Sequence, residues 1–245
     1  MFTSLIELNL IIALAIASVC ASSSYAQERD RIPAGLRPPR HAGIYVVAHR
    51  GVHDTIPENT LAAYRRAIEH ECDFVEIDVR TTKDGHLVSI HDSTIDRYTI
   101  RGEKGKVSEM TLAELQAIDI GSRIDRITVG VVREFEIEQD TLWYIPSGKV
   151  EELRKLSDLA WPMPDPGPEK FLSDLLTMHQ PPIVASTAKY FSESFATLCH
   201  QKNAIVIVDE KDPTSWRPLL EAGADGIQTD HPQELIEFLK SNRAR

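Results

Sequence analysis

The chain has 245 residues and a formal net charge of -10, from 27 basic and 37 acidic side chains, which suits one large domain better than two small ones. Nothing in that balance suggests nucleic-acid binding, for which a basic face would be wanted. Three cysteines, Cys20, Cys72 and Cys199, are too few for a disulfide framework, and the last two read as small buried residues.

In chain order, residues 8–20, LNLIIALAIASVC, form an apolar run followed by a small-x-small pattern at Ser24-Tyr25-Ala26. Residues 1–26 therefore read as a signal peptide cleaved after Ala26, and the protein is expected to be secreted or periplasmic. The run is shorter than the ~20 apolar residues that span a bilayer. Losing residues 1–26 removes only Glu7 among the charged residues, so the formal charge moves from -10 to -9. Residues 27–43 are charged and proline-rich and are expected to form an extended lead-in, with a domain over 44–240 and a tail at 241–245.

From residue 44 onward, short β-branched runs alternate with helical segments, the pattern of βαβ units on a parallel sheet. IYVVA (44–48) predicts a strand, TLAAYRRAIEHE (60–71) a helix with Leu61, Tyr64, Ala67 and Ile68 on one face, and FVEIDV (74–79) a second strand. TKDGHLVSI (82–90) places a turn before another extended run and predicts a hairpin. Thr111 and Glu114 stand at capping-box distance at the start of TLAELQAI. Further strands are expected at TLWYIP (141–146), LAWPMP (159–164), PIVAS (182–186), AIVIVDE (204–210) and GIQTD (226–230), with helical runs between them and HPQELIEFLKS at the end. This is a TIM (β/α)8-type barrel with one unit short, a doubly wound open sheet being the other arrangement. The shortfall lies between Ile118 and Thr141, where ITVGVV (127–132) leaves too few residues for a full parallel crossover.

Chemistry-bearing residues gather at the predicted C-terminal strand ends, where either fold places its active site. His49 and Arg50 close the first strand, and His91-Asp92 follows the hairpin. Glu76 and Asp78 are two apart on the second strand, so both carboxylates share one face. Two acids buried together need a cation, either Arg50 or a hard divalent ion such as Ca²⁺ or Mg²⁺. A pair of histidines beside them suits acid-base cleavage of a phosphodiester, with Arg50 and a metal bearing the phosphoryl charge. Trp143 and Trp161 read as core or rim residues, and His53 as a loop histidine. Asp230 is expected to cap the last helix.

His49-Arg50-Gly51, Pro57-Glu58-Asn59-Thr60, Val75-Glu76-Ile77-Asp78-Val79, Thr82-Lys83-Asp84-Gly85, Ile90-His91-Asp92 and Gly223-Ala224-Asp225-Gly226-Ile227-Gln228-Thr229-Asp230-His231-Pro232 follow in a definite order. In that order they resemble the glycerophosphodiester phosphodiesterase family. The resemblance implies a TIM barrel that hydrolyses a glycerophosphodiester to sn-glycerol 3-phosphate and an alcohol. It implies His49 and His91 as the acid-base pair, Arg50 as phosphate ligand, Glu76 and Asp78 as ligands of one divalent cation, and Glu58 at the edge of the site.

The family also carries an acid two residues before a lysine on its third strand, a third metal ligand and a phosphate contact. No such strand occurs between residues 119 and 141, and Glu136 is the only substitute for the acid. Two alternatives follow. One is a catalytically impaired secreted relative that binds phosphodiesters or a partner; the other is a phospholipase C- or D-like barrel enzyme acting on intact lipid.

Overall fold

The computed structural model describes residues 32–119, 138–145 and 147–242. The leader expected over 1–26, the segment ITVGVV and the candidate ligand Glu136 lie outside the described residues. Two compact units are distinguished, Met1–Pro38 and Pro39–Arg245, and every element named below belongs to the second.

Strands β1 (Tyr45–Ala48), β2 (Phe74–Thr81), β4 (Thr141–Ile145), β5 (Trp161–Pro164), β6 (Ile183–Thr187), β7 (Ile205–Asp209) and β8 (Gly226–Thr229) form a sheet in the order β5-β4-β2-β1-β8-β7-β6. Among the described residues the ladders along it are parallel, and β3 (Leu87–Ser89) pairs antiparallel with β2 as the expected hairpin. The sheet curls into a nearly closed barrel; among the described residues no ladder joins β5 to β6, which lie side by side across the remaining seam.

Around it run α1 (Leu61–Glu69), α2 (Leu112–Gln116), α3 (Val150–Leu156), α4 (Leu172–Met178), α5 (Glu193–Gln201), α6 (Pro213–Glu221) and α7 (Pro232–Asn242). Their apolar faces meet the outward side chains of the strands. Tyr64 and Ala67 of α1 join Val75, Ile77, Trp143, Phe195 and Trp216 in one buried core, with Leu61 and Ile68 packed at its margin. Trp143 is therefore a core residue, and Cys72 and Cys199 are buried free thiols. No helix among the described residues is long and apolar enough to cross a membrane.

The expected shortfall is visible in the register. Glu76 pairs with Leu142, Ile77 with Trp143 and Asp78 with Tyr144, so the strand beginning at Thr141 lies directly against β2. Among the described residues no strand is interposed between them, and the sheet they form lacks a third β/α unit. The capping box holds as predicted, Thr111 N–H donating to Glu114 Oε2 at 2.7 Å while Glu114 N–H donates to Thr111 Oγ1 at 3.2 Å.

Within the lead-in, Arg40 N–H donates to Asp73 Oδ1 at 2.8 Å and His41 Nε2 meets the Glu71 carbonyl at 2.8 Å. Ala42 and Gly43 then turn at positive φ, 56° and 82°, so this end of the segment folds back onto the barrel where an extended run was expected.

Gly51 sits where β1 turns away, at φ +84°, and a Cβ there would lie 2.6 Å from the backbone carbon of Ala63. Both the left-handed conformation and the close approach require glycine. Gly85, in the hairpin turn, has φ +83° but nothing within 4 Å of a Cβ. Gly51→Ala is expected to lower unfolding free energy by about 2 kcal/mol or more, and Gly85→Ala by about 1 kcal/mol. Chemical denaturation measures both; equal losses would show that crowding against Ala63 contributes nothing.

Candidate active site

The strand period of two places Glu76 and Asp78 inside the barrel while Val75 and Ile77 face the helices. Both acids are buried, and burial followed by the charge of Asp78 pushes the Glu76 carboxyl well above its ordinary range. Arg50 answers this pair. Its backbone is left-handed at φ 55°, and from there its N–H donates to Glu76 Oε2 at 3.1 Å. Its guanidinium reaches Asp78 with Nε 3.1 Å from Oδ2, an ion pair off the line of a hydrogen bond, and donates from Nη1 to Glu58 Oε2 at 3.0 Å.

The run Pro57-Glu58-Asn59-Thr60 divides its work by residue. Glu58 turns toward the site, accepting from Arg50 and, at 2.6 Å, from Arg97 Nη2. Burial opposes ionisation of Glu58, but the bonds from Arg97 and Arg50 outweigh it and hold the carboxyl below its ordinary range. Asn59, left-handed at φ 57°, donates to Asp78 Oδ2 at 2.9 Å, while its own Oδ1 accepts from Tyr64 Oη at 3.0 Å. Thr60 is the helix cap, its Oγ1 accepting from Ala63 N–H at 3.2 Å.

His49 is buried, and its Nδ1 lies 2.6 Å from Asp230 Oδ1; Lys211 Nζ lies 2.7 Å from Asp230 Oδ2, and His53 Nε2 is 3.4 Å from Oδ1. Asp230 thus orients an imidazole, a correction to its expected role as a helix cap. The Thr229-Asp230 sequence at the last strand end was the available signal. His53 shares that carboxylate and is more than a loop residue. His91 is half-exposed, with Nδ1 2.6 Å from Asp92 Oδ1, and Arg80 Nε donates to its carbonyl at 2.8 Å. An ionised carboxylate only accepts, so in both pairs Nδ1 carries the proton and Nε2 is left for a substrate.

Arg97, which no motif singled out, joins the two halves: its Nε donates to Asp92 Oδ2 at 2.6 Å and its Nη2 to Glu58. A chain of charged contacts therefore runs from His91 through Asp92, Arg97, Glu58 and Arg50 to Asp78.

His49, Arg50, Glu76, Asp78 and His91 line one cavity of about 100 Å³, together with Tyr144, Asp165 and Asp209 from later strand ends. Five of the predicted residues are thus brought together, and Glu58 stands behind Arg50. Where the third strand would carry an acid and a lysine beside Glu76 and Asp78, this chain presents Leu142 and Tyr144. Tyr144 Oη donates to Asp165 Oδ2 at 2.9 Å. Among the described residues, no three His, Cys, Asp or Glu side chains are gathered as a ready-made metal cluster.

The fold and the site define a parallel β/α barrel whose polar residues converge at the C-terminal strand ends. Residues 49–160 match the family model described as Glycerophosphoryl diester phosphodiesterase family. A glycerophosphodiester phosphodiesterase of Caldanaerobacter subterraneus subsp. tengcongensis is 54% identical over 76 residues, 31% of this chain and 30% of that one. A probable glycerophosphodiester phosphodiesterase 1 of Mycobacterium tuberculosis is 53% identical over 78 residues, 32% of this chain and 28% of that one. The matches thus span under a third of those relatives' own length.

Two solved structures share the fold. The glycerophosphoryl diester phosphodiesterase structure from Silicibacter pomeroyi aligns at TM-score 0.69 and 18% identity, over 86% of this chain and 98% of that one. An Oleispira antarctica phosphodiesterase, solved with its product sn-glycerol-3-phosphate, aligns at TM-score 0.66 and 19% identity, over 80% of this chain and 96% of that one.

Burial raises the Asp230 carboxyl, but hydrogen bonds from His49, His53 and Lys211 outweigh it and hold the group well below its ordinary range. A depressed carboxylate contributes stability above its unfolded value and loses it as pH falls toward the folded one. Asp230→Asn is therefore expected to cost most above about pH 4, with the difference from wild type shrinking as acid is added. Denaturation across this range measures it, and a difference that stays flat down to about pH 3 would refute the linkage.

Proposed function

We propose that this protein hydrolyses glycerophosphodiesters to sn-glycerol 3-phosphate and an alcohol. The observation that carries the reading is the pair of imidazoles, each held through Nδ1 by a carboxylate, on a cavity shared with Arg50 and two buried acids. The family-model match over residues 49–160 and the product named for the Oleispira antarctica structure support the substrate class.

In this mechanism Arg50 holds the phosphodiester through its guanidinium, while Glu58 and Asp78 limit the guanidinium's freedom. One imidazole accepts a proton through Nε2 from the attacking water as its oxygen bonds to phosphorus. The other, as an imidazolium protonated on both nitrogens, donates its Nε2 proton to the alcohol oxygen as the second P–O bond breaks. Asp230 and Asp92 each hold a ring through Nδ1, leaving Nε2 for the reacting oxygens.

The donors present fit a hard divalent cation, Ca²⁺ or Mg²⁺. Glu76 and Asp78 are oxygen ligands on one strand face, and the raised Glu76 carboxyl marks a place short of positive charge. When bound, such a cation supplies charge against the phosphoryl oxygens. Glu76 and Asp78 would hold it, with water in the positions the protein does not fill.

A second reading, phosphodiester binding without turnover, is favoured by Leu142 and Tyr144, which stand where the family's acid and lysine are expected. The experiment that separates the two is release of sn-glycerol 3-phosphate from glycerophosphocholine and glycerophosphoethanolamine by the purified protein, titrated with Ca²⁺ and Mg²⁺. Turnover is expected, with His49→Ala and His91→Ala each lowering kcat at least about a hundredfold while the fold is kept. Unchanged kcat in either variant removes the acid-base assignment; a folded wild type that binds substrate without releasing product establishes the second reading. Glu76→Gln is expected to weaken metal binding by calorimetry, and unaltered affinity would remove Glu76 from the ligand set.

A further inference from the structure

Asp209, at the C-terminal end of β7, lines the cavity and has no part in the chemistry described. Its Oδ1 is buried and has no hydrogen-bond partner among the described residues. A carboxylate oxygen in that condition is costly, and native sites rarely leave one without a purpose. The register explains where it looks. Thr187, Asp209 and Gln228 are aligned across β6, β7 and β8, and all three line the cavity. Asp209 also stands near enough to His49 for the imidazole to act on its charge.

A phosphoryl group would be repelled by this carboxylate, so the part of a substrate that meets it carries O–H donors or positive charge. The aligned row favours the first. A hydroxyl can donate to Asp209, and its neighbour on the next carbon can exchange hydrogen bonds with the Thr187 hydroxyl or the Gln228 amide. An ammonium would find no use for the amide N–H groups. On the opposite side, Asp78, His91, Tyr144 and Asp165 also line an adjoining cavity of about 280 Å³, which has room for a larger and more variable group.

We propose that Asp209 is a specificity-determining residue that accepts a hydrogen bond from the glycerol diol, with Thr187 and Gln228 completing the contact. This rests on the glycerophosphodiester reading and gives it a direction. Glycerol lies toward β6–β8 and His49, the variable alcohol lies toward His91, and His91 is then the imidazole placed to protonate the departing alcohol.

The test compares two ligands of the same charge, sn-glycerol 3-phosphate and propyl phosphate, which lacks both hydroxyls. Calorimetry on the wild-type protein is expected to give about tenfold or more tighter binding of sn-glycerol 3-phosphate. In Asp209→Ala the ratio is expected to fall close to one, with the Kd for propyl phosphate within about threefold of wild type. Asp209→Asn, which keeps an acceptor oxygen, retains part of the preference. A wild type without preference, an unchanged ratio in Asp209→Ala, or equal weakening of both ligands would overturn the proposal, the last pointing to the metal or the fold. Product release is scored separately on the wild type, so loss of the hydrolysis reading and loss of the diol contact are told apart.

Discussion

Two carboxylates two residues apart on an inward strand face are the constraint around which this structure is arranged. Removing an ion from water costs several kcal/mol even after the protein relaxes, and like charges side by side add to it. Arg50 meets that cost from two directions, through its backbone N–H and its guanidinium. It can do so only because its backbone is left-handed and Gly51 turns the chain away behind it. Asn59 serves the same pair from the other side, and Glu58 steadies the arginine. The opening run of motifs is thus one solution to one electrostatic problem.

The same arrangement organises the imidazoles. His91 connects to Arg50 through Asp92, Arg97 and Glu58, so a half-exposed loop histidine is tied to the buried acids. His49 has its own anchor in Asp230, which Lys211 holds in turn. Such networks resist rearrangement because breaking one link leaves a charge unpaired elsewhere. Both rings are consequently held through Nδ1 with Nε2 left free, an arrangement suited to the proton transfers proposed above.

Loss of a β/α unit would leave β2 and β4 as open edges if the sheet kept its eight-stranded spacing. Direct pairing of the two satisfies their backbone groups and keeps the barrel nearly closed. The chemical consequence is local. Leu142 and Tyr144 come to stand beside the acids, and Tyr144 reaches Asp165 on the next strand end. On that side of the cavity a tyrosine ring, hydrogen-bonded to Asp165, lies beside Asp78.

Much of this was legible in the sequence, because the signals are short-range. Strand and helix periodicity, the Thr111–Glu114 capping box, the hairpin at Lys83-Asp84-Gly85, the shared face of Glu76 and Asp78, and the gap before Thr141 all depend on neighbours a few residues apart. The sequence also determined which residues would gather at strand ends, since a parallel barrel brings those ends together. What only the tertiary structure decided were pairings across long separations: Asp230 with His49, Arg97 with Glu58, and the placement of Asp209 opposite the buried acids. An aspartate before a helix reads equally well as a cap or as a partner for a distant imidazole. Closure of the barrel resolves the choice, because it brings the first and last strands side by side and lets the stronger charged hydrogen bond take the carboxylate.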